Sequence, residues 1–164
     1  MTAKGVKQVE NAFPMSQSRT IQSHLVLPPD TNHHLSIFGG KVLAYIDEVA
    51  AIASMKHAKG EIVTAAFDSV DFKSPANVGD ILELEAVVTS TGKTSMEVYV
   101  RVKTINFRTG EEKITTESFV TNVAIDSQGK PVPVAKVYPE TDEEKELFER
   151  GLLRRQQRME RRGK

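Results

Sequence analysis

Cysteine and tryptophan are both absent from the 164 residues. Without cysteine there is no disulfide framework, no thiol nucleophile and no thiolate metal site, and the composition fits a reducing compartment. Net charge is missing too: 22 Lys and Arg stand against 22 Asp and Glu. No global positive field therefore exists to hold nucleic acid or an anionic membrane. Long apolar runs are lacking. The charge-free stretch inside the strongest helix candidate, Val49 to Met55, falls far short of the roughly 18 residues that span a bilayer. The first residues, MTAKGVKQVE, contain no apolar h-region, so no secretory leader is expected and the expected location is the cytoplasm. No G-x-S-x-G, Walker A or G-x-G-x-x-G run occurs, which removes α/β-hydrolase, nucleoside-triphosphatase and dinucleotide-binding readings.

What is present describes a folded α+β domain. Hydrophobic residues make up 39% of the chain and charged ones 27%, enough apolar material for one core at a length typical of one domain. Residues 1–17 are polar and aperiodic and read as a flexible arm, too short for a helix-turn-helix. Arg19 to Leu27 reads as a strand, closed by Pro28 and Pro29, with Asp30, Asn32, His33 and His34 in the loop that follows. After Gly39 and Gly40, the segment Val42–Met55 is apolar on nearly every face, as expected of a helix that other elements surround, and Gly60 is expected to stop it. The period then changes to two. Leu82, Leu84, Ala86 and Val88 alternate with Glu83, Glu85 and Val87, and Met96, Val98, Val100 and Val102 alternate with Glu97, Tyr99, Arg101 and Lys103. Two more strands are expected over Ile62–Phe72 and Lys113–Ile125. The layout is one strand, one buried helix and four strands in a meander, with the sheet curled round the helix.

A separate element follows at the C-terminus. Thr141 and Glu144 form a capping-box pattern just after Pro139, predicting a helix whose first turns are acidic and whose end is basic, in keeping with the helix dipole. Gly151 weakens its middle. The basic end reads as a solvated helix terminus or, alternatively, as a phosphate-binding patch built on Arg154 and Arg155. The expected division is an arm at 1–17, a main domain at 18–138 and a helical extension at 139–164.

Asp47 is the most informative residue for chemistry. It lies within an apolar helix on the stripe Leu43, Asp47, Ala50, Ala51 and Ser54, with no Lys or Arg at i±3 or i±4. A carboxylate facing desolvation there is suited to act as a base; the other reading is a solvated edge shared with Glu48. Gly39 and Gly40 stand where unpaired N–H groups and the positive end of the helix dipole meet, which suits an oxyanion, or else they serve chain geometry alone. Adjacent His33 and His34 do not have the spacing of a zinc site, and no metal is expected. Asn32 is able both to donate and to accept a hydrogen bond.

Taken together, N32-x6-GG40-x6-D47-E48, V63-T64, D71-F72-K73-x-P75, V78-G79-D80 and G92-K93-T94-S95-M96 resemble the hotdog-fold acyl-CoA thioesterases, both the bacterial acyl-CoA hydrolases and the related brain-type cytosolic ones. The resemblance runs from about residue 18 to 135. It implies an antiparallel sheet wrapped round one long helix, protomers paired into a dimer, and dimers assembled as a trimer of dimers. It also implies hydrolysis of acyl-CoA to fatty acid and CoA without metal or organic cofactor. Asp47 of one protomer would act as general base or nucleophile with Asn32 of the other, and the N–H of Gly40, with Gly39, would polarise the thioester carbonyl. Lys73, Thr94, Ser95, Arg154 and Arg155 are the residues expected to meet CoA. The sequence departs from the family at Phe38, where a His is common. Two alternatives are a non-catalytic acyl-CoA-binding regulator and a hotdog dehydratase using His33 or His34.

Overall fold

The computed structural model describes residues 12–163. The chain order is β1 (Ala12–Pro14), a 3-10 turn (Met15–Gln17), β2 (Thr20–Leu25), α1 (Gly39–Ala58), β3 (Ile62–Phe72), β4 (Ile81–Thr91), β5 (Ser95–Ile105), β6 (Glu112–Ala124), β7 (Lys136–Tyr138) and α2 (Asp142–Arg162). Five strands form one antiparallel sheet in the order β2-β4-β5-β6-β3, and β1 pairs with β7 in parallel. The alternation along β4 and β5 does what it predicts: Leu82, Leu84, Ala86, Val88, Met96, Val98, Val100 and Val102 are all fully buried, beneath α1 residues Val42, Ile46, Val49, Ala50 and Ala53. This is the hotdog arrangement that the resemblance implies.

Four expectations change. The four strands are not a simple meander, because β3 pairs with β6 and occupies the edge opposite β2. Periodicity reports which face a strand buries and carries no information on its neighbour. The linker 73–80 returns the chain across the sheet beneath the start of α1, held by Ile37 N donating to the Ala76 carbonyl at 2.7 Å and by a bridge between Ser36 and Asn77. Within the arm expected over 1–17, Ala12–Pro14 form a strand paired with β7 and Met15 is wholly buried as part of the core; residues 1–11 lie outside the described residues. Helix α1 is not enclosed on every side in the protomer. One stripe is buried, while Leu43, Asp47 and Ala51 are half-buried and Met55 is exposed. The left-handed residue that ends α1 is Lys59 rather than Gly60, with its ammonium 4.6 Å above the Phe13 ring.

Helix α2 starts at the expected cap, where Thr141 Oγ1 accepts from Glu144 N at 3.1 Å. It runs unbroken through Gly151 because that glycine is the point of contact with the outer face of the sheet. A Cβ there would stand 3.1 Å from Ser90 Cβ and 3.2 Å from Glu97 Oε1. No helix among the described residues is long and apolar enough to cross a membrane.

Candidate active site

The loop before α1 fixes Asn32. Its Oδ1 accepts from the backbone N–H of His34 at 2.8 Å and more weakly from Ser36 N and Oγ, while its own N–H donates to the Ser36 carbonyl at 2.9 Å. Because the oxygen is held by backbone donors, the amide nitrogen of Asn32 is the end left for other partners, so the side chain enters chemistry as a donor. The same loop continues into α1 through Phe38 N, which donates to the Asp30 carbonyl at 2.9 Å. Helix geometry leaves the first N–H groups, those of Gly39 and Gly40, without intrahelical acceptors. The Phe38 ring rests on Gly40, its Cε1 2.7 Å from where a Cβ would sit, so a larger residue there would push this exposed ring aside. A depression of about 310 Å³ opens beside this helix start, lined by Ile37, Gly39, Phe72, Lys73, Ser74 and Thr115. Lys73 there reaches Glu117 at 3.3 Å and stays half-exposed. Gly39 and Lys73 thus line one depression, and Asn32 belongs to the loop that leads into the same helix start.

Asp47 stands elsewhere on the protomer. From Gly40 to Asp47 is seven residues, which keeps the two on one helix face but separates them by about 10 Å along the axis. The Asp47 carboxylate is half-buried at the rim of the edge strand, where Oδ1 accepts from Thr64 Oγ1 at 2.7 Å. Of the two readings open for it, desolvated carboxylate or solvated edge, one copy shows a position between them, because the half of α1 that carries Asp47 lies on the uncovered side. Thr64 belongs to the V63-T64 pair of the resemblance but carried no role in the sequence; its signal is a strand-borne hydroxyl at the start of the strand that follows the carboxylate's helix.

The residues expected to meet CoA divide. Ser95 and Arg155 come together at the β4–β5 turn, with Ser95 Oγ 2.6 Å and Arg155 Nη2 3.0 Å from where a Cβ on Gly92 would be; Thr94 lies in the same turn. Arg154 is committed elsewhere. Its Nε and Nη2 donate to Glu97 at 3.0 and 2.7 Å, and its guanidinium lies 3.8 Å from the Phe119 ring centre. Arg158 adds a third bond to Glu97 at 2.8 Å and Thr89 Oγ1 a fourth at 2.7 Å. The basic end of α2, read as a solvated terminus or a phosphate patch, is thus partly a clamp on a carboxylate with no exposed side-chain surface. Glu97 looks like an outward-facing strand residue in the sequence. It is buried because α2 lies over it.

The thioesterase superfamily profile matches residues 35–111. The uncharacterised acyl-CoA thioester hydrolase YkhA of Bacillus subtilis is 45% identical over 145 residues, covering 88% of this chain and 84% of that protein. The chain belongs to the acyl-CoA thioester hydrolases of the thioesterase superfamily. Among solved structures of this family, an apo-hexameric acyl-CoA thioesterase is similar at 62% identity with a TM-score of 0.90, over 92% of this chain and 97% of that one. The acyl-CoA hydrolase of Staphylococcus aureus in complex with butyryl coenzyme A, coenzyme A and coenzyme A disulfide is 43% identical with a TM-score of 0.88, over 92% of each chain. Longer members exist: the chain spans 37% of the length of the cytosolic acyl coenzyme A thioester hydrolase of Rattus norvegicus, to which it is 36% identical over 143 residues. Structures of the Staphylococcus aureus hydrolase have also been solved with an asparagine, an aspartate or a threonine replaced by alanine. Those three positions are 15 and 17 residues apart in that chain, and Asn32, Asp47 and Thr64 have the same spacing here.

Proposed function

We propose that the chain hydrolyses acyl-CoA thioesters to a carboxylic acid and CoA at composite sites formed between two copies, with Asp47 as general base. The observation that carries this reading is the placement of a fixed carboxylate and a set of free N–H groups on one face of one helix, but about two turns apart. A base must lie within hydrogen-bond reach of the attacking water, and that water about 3 Å from the carbonyl carbon. Seven residues of helix rise put Asp47 and Gly40 of one copy at opposite ends of such a relay. A second copy would let Asp47 and Thr64 of one chain close on Asn32, Gly39 and Gly40 of the other.

The edge strand supports the pairing. β3 is 11 residues long and bonded to β6 on one side only, and its own Val63 and Phe67 are 45% and 39% exposed. Long, unprotected edges of this kind invite a second strand. Joining β3 to β3 of a second copy would cover the open side of α1. The hexameric neighbours favour three such dimers in one assembly.

In the reaction, Asp47 takes a proton from water as its oxygen bonds to the thioester carbon, and the carbonyl π electrons move to oxygen. The N–H of Gly40, with Gly39, stabilises that oxyanion. The Asn32 amide nitrogen donates to the water or the carbonyl and so orients the attack. Collapse breaks the C–S bond, and the CoA thiolate receives the proton held by Asp47. These groups all belong to the chain, so the step as drawn takes up water alone and uses neither metal nor organic cofactor. Ser95, Thr94 and Arg155 at one turn and Lys73 at the depression are the proposed CoA contacts. Zero cysteines fit a cytoplasmic setting.

The test is release of free thiol from palmitoyl-CoA and shorter acyl-CoAs, followed with a thiol reagent. Release by the parent and its loss in Asp47→Asn support the reading. Binding of acyl-CoA without release turns it into a regulator. A single turnover in ¹⁸O-water separates base from nucleophile: label in the released acid alone supports the base, and label in the Asp47 carboxylate means a mixed anhydride.

A further inference from the structure

Asn122 is a buried polar residue that neither the apolar core nor the chemistry above uses. It lies on β6 directly across from Thr64 in the β3–β6 register and has no exposed surface. Opposed residues of an antiparallel pair present their side chains on the same face, with Cβ atoms about 5 Å apart. Asn122 therefore faces α1 beside Thr64. Its Nδ2 donates to Ser54 Oγ at 2.9 Å and to the Ala50 carbonyl at 3.3 Å. Ala50 is one turn beyond Asp47, and an interior helix carbonyl already accepts the N–H four residues on. The second donor ties that turn of the helix to the sheet.

Two features argue that this attachment serves more than stability. Asn122 Oδ1 is buried without a partner, which destabilises relative to an apolar residue of similar shape. Val42, Ile46 and Val49 pack the first half of α1 against the sheet, but the turn that faces Asn122 buries only Ala50, Ala53 and Ser54, small side chains that interlock little with the strands. Polar attachments supplement packing at this turn. Thr64 to Asp47 is one, and Asn122 to Ala50 and Ser54 is another, one strand further in.

We infer that Asn122 is a positioning residue: it fastens the turn of α1 next to Asp47 to the strand pair that carries Thr64, and so maintains the contact between Thr64 and the carboxylate. The inference rests on Asp47 being the base. Asn122→Leu removes both the attachment and the orphaned oxygen at nearly constant shape. The expected result is an unchanged or raised melting temperature, KM close to the parent's, and kcat lower by about 10-fold, the scale of small misplacements of a catalytic group. A purely structural residue would act independently of Thr64. In a Thr64→Val background the same replacement is expected to change kcat by less than about 2-fold, because the contact it maintains is already gone. Parental kcat in the single variant, or an equal loss in both backgrounds, overturns the inference. If Asn122→Leu does not fold, Asn122→Thr, which suits a strand and lacks the amide, is put through the same cycle with the same two outcomes. Asp47→Asn measured alongside separates the failures. Full turnover by that variant removes the reading of the site itself, whereas an inactive Asp47→Asn beside an unimpaired Asn122→Leu removes only the role of Asn122.

Discussion

Thr64 Oγ1 donates to Asp47 Oδ1 at 2.7 Å, so the start of edge strand β3 and the middle of α1 hold the carboxylate between them. One carboxylate oxygen is thereby occupied and the other is left to take a proton. Asp47→Asn keeps the volume and loses the base, and is expected to lower kcat by at least about 10²-fold without lowering the melting temperature. Thr64→Val is expected to cost less, about 10-fold, with KM little changed. Steady-state kinetics on purified, melt-checked variants test both; a Thr64→Val enzyme at parental kcat would mean that the bond does no more than hold the strand.

The composite site has its own consequence. Asp47→Asn and Asn32→Ala chains, each inactive alone, are expected to regain activity on mixing, because one of the two interfaces in a mixed dimer carries both intact groups. Sedimentation of the parent as a monomer at micromolar concentration, or silence after verified subunit exchange, would remove the two-copy arrangement.

Adjacent arginines on α2 are expected to behave differently. Arg154 is bonded twice to Glu97, whereas Arg155 lies over the β4–β5 turn beside Ser95. Arg155→Ala is expected to raise KM for acyl-CoA several-fold and to leave it unchanged for an acyl-pantetheine, with kcat preserved, since ground and transition states share the contact. Arg154→Ala and Glu97→Gln are expected to lower stability, Glu97→Gln by about 3 kcal/mol because the half-buried Arg154 loses its carboxylate and the buried Arg158 keeps, among the described residues, only Asp68 at 3.7 Å. Denaturant melts beside KM values distinguish the two roles.

Gly151 offers a test of sign. Helix propensity alone says that Gly151→Ala stabilises by about 1 kcal/mol. The contacts at 3.1 Å to Ser90 and 3.2 Å to Glu97 say the opposite, since neither the strand nor the clamped carboxylate is free to retreat. A loss of about 1–3 kcal/mol is expected. A higher melting temperature would mean that α2 lifts off the sheet at no cost.

His57 links stability to pH. Its Nε2 lies 2.8 Å from the Ala135 carbonyl, which can only accept, so this nitrogen carries the proton and donates; Nδ1 is buried without a partner. Burial holds the ring's pKa below its ordinary value, against the opposing pull of that hydrogen bond. As pH falls through the unfolded value, about 6.5, the unfolded chain takes up a proton that the folded one resists. Stability is therefore complete above that pH and declines below it. His57→Gln, which keeps a donor and does not titrate, is expected to show a smaller difference in melting temperature between pH 7.5 and 5.5 than the parent; an identical difference would assign the acid sensitivity to other groups.

The sequence by itself determined the elements. Alternation over Leu82–Val88 and Met96–Val102 identified the buried face, the Thr141 cap marked the start of α2, and the strand expected over Ile62–Phe72 has those same bounds in the structure. These features follow from interactions among residues a few positions apart, which leave a period in the chain. The odd carboxylate at Asp47 and the glycine pair before its helix were visible for the same reason, as departures from a local pattern. Only the tertiary structure decided that β3 sits at the far edge, that Thr64 holds Asp47, that Asn122 ties the helix to the sheet, and that Glu97 is buried under Arg154 and Arg158. Each of these joins residues far apart in sequence, and such pairings are set by which surfaces remain apolar and uncovered once the helix and strands have formed. Glu97 shows the limit most plainly: strand periodicity assigns it to the outer face, correctly, but whether that face meets water or the arginines of α2 is a property of the packed chain.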